Sequence, residues 1–125
     1  MRKILYSPGY GAGWTTWMYN KEMKKFALEY APLIEAIESA NANDDEEELK
    51  ALLREPKYGV GEPDFSKCHP IVKEFIKECE TRFGQVPFLG GLGDLEVAVV
   101  NGRVRIEEYD GSESVIEECE DEGCM

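Results

Sequence analysis

Twelve residues near the start, Tyr6-Ser-Pro-Gly-Tyr-Gly-Ala-Gly-Trp-Thr-Thr-Trp17, constrain this chain more than any other stretch. They hold three alternate glycines (Gly9, Gly11, Gly13), both tryptophans and two tyrosines. Interleaving glycine with large rings suits neither a core helix nor a plain strand, because glycine gives up backbone order that either would need. It suits a loop that packs tightly or meets something flat. Two readings follow from the residues. Tyr10, Trp14 and Trp17 form a stacking surface for a base or a partner side chain, or the tryptophans are core anchors that close the domain.

The spacing Gly9-x-Gly11-x-Gly13 after a short apolar run is not a phosphate cradle. A dinucleotide fingerprint needs Gly-x-Gly-x-x-Gly opening a helix, and a P-loop needs Gly-Lys-Ser/Thr. Neither is present.

The rest of the chain reads as a single α+β domain over residues 1–118, of a length that buries a core without staples. Residues 119–125 form an acidic tail expected to fray. Lys3 to Ser7 reads as a strand ended by Pro8-Gly9. Asn20 caps a helix whose apolar positions are Met23, Phe26, Tyr30, Ile34 and Ile37. Pro32 breaks or kinks it, which predicts two helices joined near Ala31. Asp44, with Glu47 three residues on, predicts a capping box for a short helix buried through Leu49, Leu52 and Leu53. A loop from Glu55 to Lys67 is expected to anchor through Tyr58 and Phe65. Pro70 opens a helix with the stripe Ile71, Val72, Phe75, Ile76, Cys79 and Phe83, closed by Gly84.

The last third is β. Asn101-Gly102 predicts a type I′ hairpin joining Leu95–Val100 to Arg103–Tyr109, with Leu95, Val97, Val99, Val104 and Ile106 on the core face. Asp110-Gly111 leads to a third strand near Ser114–Glu117. The expected architecture is a small antiparallel sheet, the N-terminal strand plus this C-terminal hairpin or meander, covered on one face by three to four helices.

Charge narrows the function. Lys and Arg number 14 against 26 Asp and Glu, a net of −12, which opposes direct binding to DNA or RNA and favours a partner with a basic surface. No apolar run approaches the ~18 residues of a membrane span and the start has no signal-peptide core, so the expectation is a cytoplasmic protein with no membrane partner. Arg103 and Arg105 are the paired cations of the predicted sheet; they either hold a phosphate or carboxylate, or pair with Glu96 and Glu107. Cys68, Cys79, Cys119 and Cys124 lack Cys-x-x-Cys spacing, so no metal is expected, and Cys79 reads as core. No cofactor is expected. His69 is the lone histidine, and with its neighbour Cys68 it makes a poor catalytic pair. No catalytic residue is assigned. Homo-oligomers are compatible with this pattern.

Two blocks resemble a group of small proteins common in bacteriophages and prophages. They are Ile4-Leu-Tyr-Ser-Pro-Gly-Tyr-Gly-Ala-Gly-Trp-Thr-Thr-Trp17 and Arg105-Ile-Glu-Glu-Tyr-Asp-Gly-Ser-Glu-Ser-Val115, joined by Glu78-Cys-Glu-Thr-Arg-Phe-Gly84. The acidic tail and the last two cysteines are particular to this chain. The resemblance carries no assigned activity and no site residue. It implies a setting in an infected bacterium, where small accessory proteins bind and disable host machinery. The expectation is therefore a non-enzymatic, acidic binding protein acting on a host bacterial component as a counter-defence inhibitor. A nucleotide binder using the aromatic–glycine loop with Arg103 and Arg105, and a small hydrolase or transferase using His69, are the alternatives.

Overall fold

The computed structural model describes residues 2–58 and 61–118; the tail from 119 to 125, with Cys119 and Cys124, lies outside the described residues. The fold is α+β. Strand β1 (Arg2–Tyr6) is followed by the aromatic–glycine loop and a single 3-10 turn at Thr15–Trp17. Helices α1 (Lys21–Leu28), α2 (Ala31–Ala42), α3 (Glu46–Leu52) and α4 (Pro70–Phe83) come next, then β2 (Glu96–Val100), β3 (Arg103–Tyr109) and β4 (Ser112–Glu118).

Local chemistry sets most helix ends. The Asn20 side chain accepts the N–H groups of Glu22 and Met23, supplying the partner that first-turn amides otherwise lack. Pro32 sits in the first turn of α2, where its missing donor costs nothing. Gly84 ends α4 in the left-handed region at φ 67°. The cap of α3 is Asp45, which accepts from Glu48 N–H. Asp44, the expected cap, instead takes a positive φ of 51° in the turn out of α2; the tight turn uses one more residue than the capping pattern implies.

The helices enclose an aromatic core centred on Phe75 of α4. Its ring lies 5.4 Å from Trp14, 5.7 Å from Phe26 and 4.9 Å from Tyr30. Val72, Phe75, Ile76 and Cys79 are buried, as the stripe requires. Cys68 and Cys79 are free and buried.

The strand pairing differs from the expected hairpin. Strand β2 pairs antiparallel with β1, Leu5 opposite Val97 and Ile4 opposite Ala98, while β3 pairs with β4 through the Asp110-Gly111 turn. Among the described residues there are thus two two-stranded sheets rather than one meander. Asn101-Gly102 is a link between sheets, because pairing β2 with β1 places Leu5, Leu95 and Val97 against the helices; tertiary burial overrides the local turn preference. Ile4 and Val100 are buried and Val99 is exposed, so Val99 does not share the expected core face. Val104 and Ile106 are half-buried.

Candidate functional site

The aromatic–glycine loop is held by a residue that a reading of its own composition does not reveal. Glu113, on β4, is 1% exposed. Its Oε1 accepts Ser7 N–H at 2.9 Å; its Oε2 accepts Trp14 N–H at 2.7 Å, Thr16 N–H at 3.1 Å and the Thr16 hydroxyl at 2.6 Å. A buried carboxylate is tolerable only when such donors replace its water. The backbone runs the same way: Glu113 N–H donates to Ser7 O at 2.7 Å, and Gly11 N–H to Asp110 O at 2.8 Å. The Ser112 hydroxyl donates to Pro8 O at 2.6 Å.

Two glycines make this closeness possible. A Cβ on Gly13 would lie 2.8 Å from Glu113 Oε2 and against Thr16 Oγ1. A Cβ on Gly111 would strike the backbone of Ala12, and Gly111 also needs φ +85°, a conformation that penalises other residues.

The tryptophans divide between the two roles. Trp14 is fully buried, its Nε1–H donating to Ala27 O at 3.1 Å; it is a core anchor and offers no ring to a partner. Trp17 is half-buried: its Nε1–H donates to Glu108 Oε2 at 3.0 Å, and its ring stacks 5.5 Å from Phe88, which in turn packs 5.0 Å from Tyr58. Glu108 and Glu113 are cross-strand partners in the β3–β4 register, so one face of the hairpin holds both the indole and the loop. Tyr10 is 75% and Tyr109 74% exposed, and the Gly11–Asp110 bond joins the segments that carry them. Glu107, Glu108 and Asp110 surround these rings in sequence and are exposed.

Arg103 and Arg105 do not join this cluster. They lie exposed along β3, and Arg105 is 3.8 Å from Glu107 on its own strand. Arg105 precedes Tyr109 by about 13 Å of extended chain along β3. Glu96, the other expected partner, belongs to β2.

His69 has a different task. Its Nδ1 accepts Ile71 N–H, capping α4. That leaves the ring proton on Nε2, which donates to Glu48 Oε1 at 2.9 Å. Both nitrogens are engaged, Nδ1 within the first turn of α4 and Nε2 across to α3. Burial pushes the Cys68 thiol above its ordinary range, with Lys73 only partly opposing, the reverse of what an activated thiolate needs.

No helix among the described residues is long and apolar enough to cross a membrane. No protein-family model, curated protein or solved structure matches the chain.

Proposed function

We propose that this protein is a non-enzymatic binding module whose recognition face is the junction of the aromatic–glycine loop with the β3–β4 turn. Tyr10 and Tyr109 present exposed rings, and Glu107, Glu108 and Asp110 supply negative charge. Tyrosines are effective anchors because they carry large area with few rotatable bonds. Acidic groups around them favour a partner rich in Lys and Arg, which both the carboxylates and the rings attract. The observation that carries this reading is the clamped junction: Glu113 holds Ser7, Trp14 and Thr16, and the Gly11–Asp110 bond joins the segments that carry Tyr10 and Tyr109, so the face is ordered before it meets a partner, which lowers the entropic cost of binding.

The net charge of −12 extends the same preference over long range. Together with the resemblance of the two clamped blocks to phage and prophage accessory proteins, it makes the partner a basic, nucleic-acid-handling protein of the host cytoplasm, and the role that of a counter-defence inhibitor. Affinity capture from bacterial lysate should recover a basic protein whose retention falls as salt rises. Capture indifferent to salt, or none, contradicts the reading.

A further inference from the structure

Away from that face, the acidic surface is interrupted by a concentration of cations. A cleft of about 440 Å³ lies between α3 and the start of α4, and Lys50, Arg54 and Lys67 line it. Among the described residues, Glu47 is the single carboxylate in its wall. Arg54 and Lys67 also line the adjoining cleft of about 300 Å³, together with Lys57 and the carboxylates Glu55 and Asp64. Among the described residues none of these four cations makes an ion pair within 4 Å. Glu48, also on α3, is taken by His69 at 2.9 Å.

We infer that this cleft binds a small organic phosphate monoester. Three cations lining one cavity, none in an ion pair within 4 Å, can give a dianionic phosphate more charge-assisted hydrogen bonds than a carboxylate uses, with the Arg54 guanidinium matched to two phosphate oxygens at once. The cleft opens beside Pro70, at the positive end of the 14-residue helix α4, which adds to the local potential. Repulsion from the rest of the molecule is screened beyond ~8 Å at physiological ionic strength, whereas the cations lining the wall act at contact. Between the charges, Ala51, Cys68 and Pro70 form an apolar wall suited to the organic part of the ligand. The volume falls in the range of small-molecule sites, roughly 300–1,000 Å³. The site is separate from the tyrosine face and does not depend on it.

The test is an amide-resolved NMR titration of the whole protein with adenosine monophosphate, inorganic phosphate and adenosine. The expected result is saturable shifts confined to Lys50–Arg54 and Lys67–Ile71, at least tenfold tighter for the monophosphate than for inorganic phosphate and absent with adenosine. In Arg54→Ala/Lys67→Ala the affinity should fall at least tenfold. Lys50→Ala, on an exposed position, should weaken it several-fold and serves if the double variant loses its native spectrum. No saturable shifts, equal response to adenosine, equal affinity for inorganic phosphate, or unchanged affinity in the folded variants would each overturn the assignment.

Discussion

Glu113 and Trp14 are 99 residues apart in sequence, yet the carboxylate of one accepts the backbone N–H of the other at 2.7 Å, out of contact with solvent. This bond and its three companions tie the chain's opening loop to its last hairpin. The blocks Ile4–Trp17 and Arg105–Val115 meet at this one carboxylate.

Replacing Glu113 separates acceptor geometry from mere volume. Glu113→Ala leaves four buried or half-buried donors without a partner and should cost about 3–5 kcal/mol, since each stranded donor loses its desolvation compensation. Glu113→Gln keeps one oxygen. Turned toward Trp14 and Thr16, that oxygen serves three donors, and the amide nitrogen then opposes only Ser7 N–H, for a cost of about 1–3 kcal/mol. Urea denaturation midpoints measure both. Equal stability of all three proteins would show that the clamp holds nothing.

The two glycines with positive φ at the junction should respond differently to alanine. Gly11 (φ +109°) has open space where a Cβ would go, whereas at Gly111 (φ +85°) a Cβ meets the backbone of Ala12. Gly11→Ala should therefore lose only the conformational cost, about 1–2 kcal/mol. Gly111→Ala carries that cost and also pushes the loop off the turn, so its denaturation midpoint should fall further. Identical losses would argue against close contact.

Alkaline stability follows from burial. Burial first, then the Glu78 carboxylate, pushes the Tyr30 phenol up to about 12; burial, again with Glu78, pushes the Cys79 thiol to about 12. In the unfolded chain these groups ionise near 10 and 8.5. Between those values and about 12 the native state holds more protons, so stability is fully present below about pH 8.5 and declines as pH rises toward 12. Denaturation midpoints at pH 8, 10 and 11 should fall in that order, and Tyr30→Phe should flatten the upper part. A midpoint constant to pH 11 contradicts the burial of both groups.

Thiol reactivity gives an independent check. The buried, protonated thiols of Cys68 and Cys79 should resist iodoacetamide at pH 8 in native protein and react after unfolding. Peptide mapping distinguishes them from Cys119 and Cys124. Rapid native labelling of Cys79 would mean that the Phe75 core opens easily.

Much of the helical layer was legible because each end carries its own chemistry: Asn20, Pro32, Pro70 and Gly84 act within a turn or two of themselves. The sheet was less so. Asn101-Gly102 is a strong local signal, but β2 pairs with residues 2–6 because that buries Leu5 and Val97 together, a gain invisible from the turn alone. Trp14 and Trp17 look alike in sequence and differ only through neighbours far along the chain, Ala27 and Phe75 for one, Glu108 and Phe88 for the other. Glu113 left a trace. Strand alternation places it on the face of Val115 and Ile106, an inward position where a carboxylate needs donors.

We propose the clamped junction as a recognition face for a basic partner. Its most direct measurement is affinity capture from bacterial lysate with the wild-type protein and with Tyr10→Ala/Tyr109→Ala, whose exposed side chains contribute little to folding. Circular dichroism and denaturation should show both proteins equally folded. Loss of two central anchors should weaken retention of the basic partner at least tenfold, since each hot-spot truncation costs more than about 1 kcal/mol, and raising salt should weaken wild-type retention. Undiminished capture by the folded double variant would contradict a recognition role for the two tyrosines.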